Sequence, residues 1–274
     1  KIIHRTYYNY SAIVKLGTHH LLLRPRESYE LRIESFSLKS TPTAKIFWHR
    51  DVEDNSVAVA TFETPTQQLL IESELIIQHY NESPLNFIVS DYAINYPFKY
   101  LANDNFILSS YMVLPNEETR TLLNNWIYNV YKYGEKIQTY TLLQKLTTYI
   151  FKNFTYKVRE EAGVQTAKQT LSYGSGSCRD FAFLFMEVVK CLGLATRFVS
   201  GYLYAPLMSD EVGSTHAWAE VYLPGGGWIG FDPTTGNIAG TDHISVAVSR
   251  LPDNVPPIAG SFLGVSDSTI SVGV

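Results

Sequence analysis

Gly174-Ser175-Gly176-Ser177-Cys178-Arg179-Asp180-Phe181-Ala182 runs on into Phe183-Leu184-Phe185-Met186-Glu187-Val188-Val189-Lys190-Cys191-Leu192-Gly193. Two glycines let the backbone turn sharply. Ser177 is a good helix N-cap, and Asp180 three residues later completes a capping-box pattern ahead of the apolar run. Gly193 reads as the residue just past the helix end. The pattern therefore sets Cys178 at a helix start, where unpaired backbone N–H groups and the positive end of the helix dipole favour a thiolate. Cys191 lies inside the apolar run and reads as a small core hydrophobe. Small and polar neighbours place Cys178 at a surface or cleft instead. The cysteines are 13 residues apart on one helix, about 20 Å, too far for a disulfide.

A reactive thiol needs a base beside it and a third group to orient that base. Downstream, Thr215-His216-Ala217-Trp218-Ala219-Glu220-Val221-Tyr222-Leu223 and Gly227-Trp228-Ile229-Gly230-Phe231-Asp232 read as strands joined by the turn Pro224-Gly225-Gly226. With an even pairing sum Asp232 falls opposite Trp218 and diagonal to His216 on one sheet face, within side-chain reach. A one-residue slip would destroy that arrangement. Cys178, His216 and Asp232 are thus candidate nucleophile, base and orienter. His243, in Asp242-His243-Ile244, is the rival base, and strand spacing offers it no orienter, which favours His216.

Upstream, residues 1 to about 82 alternate as short strands with turn punctuation at Ser40-Thr41-Pro42-Thr43 and Asp51-Val52-Glu53-Asp54-Asn55, the pattern of a β-sandwich-like module. No chemical constellation is legible there, and His19, His20 and His49 lack partners at metal-ligand spacing. From Pro84 to Pro115 a connector rich in proline and aromatic residues marks the domain junction. Asn116-Glu117-Glu118 caps a helix running toward Gly134, and a second helix is expected from Thr141 to Asn153. Residues 166–171 make a short capped turn. Thr196 to Tyr204 forms a strand, followed by a looser loop through Pro206, Ser209 and Gly213.

The chain has 274 residues, 45% hydrophobic and 18% charged, with a net charge of −4. Two domains fit this length, and the charge gives no reason to expect nucleic acid as a partner. No signal-peptide pattern and no run of about 18 apolar residues occurs, so the expected location is cytoplasmic, with no membrane partner.

The motifs 176–182, Ser200-Gly201-Tyr202, 215–221 and 227–234 resemble the core of the transglutaminase-like superfamily. Lys15-Leu16-Gly17-Thr18-His19 and Leu23-Arg24-Pro25-Arg26 resemble the N-terminal β-module of its bacterial branch, described as cysteine proteases, and residues 243–248 and 255–260 resemble its tail. The resemblance implies an α+β, papain-related scaffold with a thiol-bearing helix packed on an antiparallel sheet. It assigns Cys178 as nucleophile, His216 as base and Asp232 as orienter. Phe183 stands where many relatives carry histidine and Ser177 where valine is common; neither removes a member of the triad. The expected organisation is an N-terminal β-module over 1–100 and a catalytic domain over 101–274. The expected activity is thiol-dependent acyl transfer on a peptide or protein amide, resolved by water. Amine transfer, and a non-catalytic binding protein on the same fold, are the alternatives. No metal or organic cofactor is implied. Trp218 and Trp228 are candidates for the groove wall or the core.

Overall fold

The computed structural model describes residues 1–80, 86–159, 161–204 and 215–274. Strand β1 (Ile2–Leu16) buries His4, Thr6, Tyr10, Val14 and Leu16, the period-2 alternation of a half-buried strand. After β2 (His19–Leu21), β3 (Leu31–Thr41), β4 (Lys45–Arg50) and β5 (Ser56–Thr61) comes the long β6 (Thr66–His79). β6 lies between β1 and β3 in one antiparallel sheet, and β5 between β2 and β4 in another. Tyr10, Val14, Leu16, Leu69 and Ile71 from the first sheet meet Leu21, Ala58 and Ala60 from the second in one apolar cluster. This is the β-sandwich expected from the alternation.

Two short ladders then intervene: β7 (Asn95–Tyr96) pairs with β8 (Ile137–Gln138), and β9 (Thr155–Tyr156) runs parallel to β10 (Ser175–Gly176). The second half carries helices α1 (Ala102–Leu108), α2 (Glu117–Ile127), α3 (Thr139–Asn153), α4 (Ala167–Tyr173) and α5 (Cys178–Cys191). Its antiparallel sheet runs β14 (Asn237–Ile238), β13 (Gly227–Asp232), β12 (Thr215–Leu223), β11 (Thr196–Leu203), β15 (His243–Ser249). α5 packs against β11 and β12 on one side and against α2, α3 and α4 on the other. Phe181, Ala182, Leu184, Phe185, Met186, Val188 and Val189 are accordingly buried all round it. Gly193 takes φ +75° after the last turn, a conformation that favours glycine.

The expected domain boundaries need correction at both ends. The chain returns to the N-terminal sandwich after β15: β16 (Ile258–Ala259) pairs with β2, and β17 (Phe262–Leu263) and β18 (Ser268–Gly273) pair with β1. These strands cover an edge that the 15-residue β1 would otherwise leave open. Residues 258–273 therefore belong structurally with the sandwich. The 1–100 boundary also cuts through packed structure, because the described part of the connector enters the helical core. The Tyr96 hydroxyl donates to the Leu192 carbonyl at 2.8 Å, and that of Tyr100 donates to the Tyr222 carbonyl at 2.8 Å. Pro84 lies outside the described residues, as do Pro206, Ser209 and Gly213. The helix expected to reach Gly134 stops at Ile127, where turns bring the buried Tyr131 ring to 5.4 Å from that of Tyr96.

The two halves share buried contacts. The Asn55 side chain mimics a strand edge, its Nδ2 donating to the Val248 carbonyl at 2.8 Å and its Oδ1 accepting from the Val248 N–H at 2.9 Å. Leu31 and Leu75 of the sandwich pack with Tyr202, Ile244 and Val246 of the core sheet. Among the described residues no helix is long and apolar enough to cross a membrane.

Candidate active site

The helix bearing Cys178 begins where the sequence indicates. Asp180 is fully buried; its Oδ2 accepts from the Ser177 backbone N–H at 2.8 Å and from the Ser177 hydroxyl at 2.9 Å. Its Oδ1 accepts from Arg159 Nη1 and the Gln165 N–H, each at 2.7 Å. Burial would favour the protonated acid, yet hydrogen bonds from Gln165, Ser177 and Arg159 outweigh it and hold the Asp180 carboxyl below the usual carboxylate range. One carboxylate thus caps α5 and anchors the segment carrying Arg159 and Gln165 beside the thiol. The pattern Ser177–Asp180 signalled the cap; nothing in it signalled Arg159.

Strand β12 presents His216 toward Cys178. β12 pairs with β13 through Ala219↔Phe231, Val221↔Ile229 and Leu223↔Gly227, the even pairing anticipated from the turn, and Asp232 follows at the end of β13. His216 Nε2 donates to Asp232 Oδ2 at 2.8 Å. The Cys178 thiol lies close enough to the same ring to act on its charge, and with Nε2 engaged by Asp232 the nitrogen left for sulfur is Nδ1. Burial alone would favour a neutral imidazole, but the bonds to Asp232 and Cys178, and their charges, raise the His216 pKa to about 10. Asp232 is fully buried. Burial there favours the acid form, and bonds from His216 and His243 override it and lower the pKa. Cys178 itself is 9% exposed, more enclosed than its polar neighbours suggest, because α5 is covered on both sides. Cys191 is half-buried, and burial pushes its thiol up to about 11.

Trp218 forms the back of the site. It is 2% exposed, its ring stacked 27° from that of His216 at 6.2 Å and edge-on to His243 at 5.0 Å. Gly201 makes this possible, since a Cβ there would sit 2.7 Å from Trp218 Cη2 and 2.2 Å from the Ile244 carbonyl oxygen. Trp228 lies away from the thiol, packed against Tyr111 and Tyr222 with the Arg197 guanidinium 4.3 Å above its ring.

Sequence spacing assigned no orienter to His243, and the structure corrects this: His243 Nε2 lies 3.1 Å from Asp232 Oδ2, the oxygen that His216 uses. Nitrogen and carboxylate atoms of His216, Asp232 and His243 all fall within 4.8 Å of one another, a spacing that could hold a metal. The hydrogen bonds do not fit that use. His243 Nδ1 accepts from the Gly240 N–H at 3.1 Å, so the proton sits on Nε2 and the lone pair a metal would need is absent there.

The transglutaminase-like superfamily matches residues 123–233 and the bacterial transglutaminase-like N-terminal region matches residues 1–78. An uncharacterized protein of Mycobacterium tuberculosis is 27% identical over 285 residues, covering 98% of this chain and 89% of the relative. Another from Mycobacterium leprae is 36% identical over 104 residues, 36% of each chain. The crystal structure of a putative cysteine protease from Cytophaga hutchinsonii superposes with a TM-score of 0.74 at 21% identity, over 98% of this chain and 88% of that one. By these matches the core at residues 123–233 belongs to the transglutaminase-like superfamily, and residues 1–78 ahead of it to the bacterial transglutaminase-like N-terminal region.

Proposed function

We propose that the protein is a thiol-dependent amide hydrolase acting on peptide or isopeptide bonds, with Cys178 as nucleophile, His216 as acid and base, and Asp232 as orienter. The observation that carries the reading is one buried line of groups: a thiol on the first residue of α5, an imidazole beside it whose charge it affects, and a carboxylate 2.8 Å from that ring's Nε2. The Cys178 sulfur attacks the amide carbonyl carbon, and the carbonyl π pair moves to oxygen. As the first residue of α5, Cys178 has a backbone N–H free of intrahelical bonds, available to that oxyanion. Collapse expels the amine, which takes a proton from His216 Nδ1 and leaves a thioester. His216 then draws a proton from water, whose oxygen attacks the thioester; the acid departs and the thiolate pairs again with the imidazolium.

The reading is tested by incubating the protein with denatured casein and dansylcadaverine, then mapping new peptide termini and dansylated glutamines by mass spectrometry. New termini with wild type and none with Cys178→Ala are expected. Dansylation without cleavage would make water the wrong acceptor and favour amine transfer. Neither product, together with an unreactive Cys178, would favour a binding protein on this fold. Both cysteines are free, which suits a reducing compartment; a cytoplasmic location belongs to the same proposal, and recovery from a periplasmic fraction would contradict it.

A further inference from the structure

His243 and His216 reach one carboxylate oxygen from two different strands, β15 and β12. Asp232 Oδ2 accepts from His216 Nε2 at 2.8 Å, from the Thr235 hydroxyl at 3.0 Å and from His243 Nε2 at 3.1 Å. Oδ1 is taken by the Thr234 N–H at 2.8 Å. The His243 side chain is 8% exposed, and the ring is locked at its other end: Nδ1 accepts from the Gly240 N–H at 3.1 Å, while the His243 N–H donates to the Gly240 carbonyl at 3.0 Å. A small turn therefore presents one N–H, in one tautomer, to an oxygen already engaged by the base.

We propose that His243 is a positioning residue of the nucleophilic pair, its Nε2–H sharing Asp232 Oδ2 with His216 so that the carboxylate is held in place and its grip on the imidazolium is moderated. This rests on the reading of Cys178 and His216 as a reactive pair. The physics is competitive. An oxygen with two lone pairs serving three donors gives each a weaker bond, and the His243 dipole offsets part of the negative charge that His216 feels. Without it the carboxylate would bind the imidazolium more tightly, and His216 would surrender its proton to a leaving amine less readily. Among the described residues, the titratable groups that meet the His216 ring are Cys178 from α5, Asp232 from β13 and His243 from β15.

The test uses the whole protein and iodoacetate, whose methylene carbon is attacked by sulfur as iodide leaves. Because the reagent is an anion, its rate at Cys178 falls when the neighbouring imidazolium loses its proton, so the descending limb of the pH profile reports His216. His243→Phe keeps a ring against Trp218 and removes the donor; His243→Gln keeps an N–H near the Nε2 position. The expected result is a limb shifted upward by about one pH unit in His243→Phe and returned to the wild-type position in His243→Gln. A limb in His243→Phe that coincides with wild type or moves downward overturns the inference, as does failure of His243→Gln to restore it. Should the variants not fold, 15N NMR of wild type at neutral pH decides: Nε2-protonated His243 is expected, and an Nδ1-protonated or doubly protonated ring overturns it. His216→Ala separates the two levels of argument. If that change leaves the Cys178 profile unaltered, the pair itself is absent; if it abolishes the bell while His243→Phe does nothing, only the role of His243 fails.

Discussion

Asp232→Ala should cost roughly 3–5 kcal/mol of stability and slow Cys178 alkylation by iodoacetate at pH 7 on the order of 100-fold or more. The residue is fully buried and accepts from His216, His243, Thr235 and Thr234. Truncation leaves these donors unpaired and a buried imidazolium without its counter-charge, the situation in which removing one partner costs most. In a chain of this size the melting temperature should fall by roughly 6–20 °C. The loss depends on pH in a defined sense. Asp232 has a folded pKa below its unfolded value, so its contribution is present above about pH 4 and fades as pH falls through the folded pKa. His216 is raised to about 10, so its contribution is full below about pH 6.5 and fades as pH rises through the folded value. The gap between wild type and variant should be widest between about pH 4 and 6.5 and narrow on both sides. Urea melts across that range check it, and a gap independent of pH would contradict the account.

Asp180→Ala should destabilise by a similar amount, roughly 3–5 kcal/mol, for a different reason. Its carboxylate holds the Ser177 N–H and hydroxyl at the start of α5 together with Arg159 and the Gln165 N–H. Arg159 is 17% exposed, so the variant leaves a largely buried guanidinium with only the exposed Glu161 carboxylate, 3.5 Å from its Nε, as counter-charge. The segment it anchors is also tied through Arg179, whose Nη2 donates to the Arg159 and Glu161 carbonyls at 3.1 Å each. Cys178 sits two residues from Asp180, and a displaced helix start should lower its alkylation rate about 10-fold or more. Asp180→Asn, which keeps the shape but loses the charge and one acceptor, should fall between wild type and alanine. Loss of less than about 1 kcal/mol in the alanine variant, which is the scale of a solvent-exposed pair, would show that the Arg159 contact contributes little.

The parts of the site legible in the sequence are those written in local chemistry. Glycines, Ser177 and Asp180 mark the start of α5 within a few residues of the thiol. Pro224-Gly225-Gly226 sets a hairpin whose even pairing carries Asp232 toward His216. His243 escaped because its position depends on a non-local ladder. β15 pairs with β11, and the register shifts between Ser200 and Gly201, so no count along the chain reveals that His243 ends at Asp232. The return of residues 258–273 to the sandwich escaped for a related reason. β16 and β17 are two residues each, and β18 is mostly exposed, so they lack the buried alternation that identifies a strand. What fixes them is the open edge of β1, some 250 residues earlier in the chain. Cys178 was expected at a cleft and is nearly enclosed, since the packing of α2, α3 and α4 around α5 is a tertiary fact.

The most direct test of the central claim is the pH dependence of Cys178 alkylation by iodoacetate in wild type and His216→Ala, read residue by residue by mass spectrometry with Cys191 as the internal control. A bell whose descending limb lies near the His216 value of about 10, lost in His216→Ala, is the result this account predicts. Cys191, its thiol raised to about 11 by burial, should label only on the alkaline side in both proteins. A Cys178 profile that rises with pH like that of Cys191 and is unchanged by His216→Ala would contradict the account.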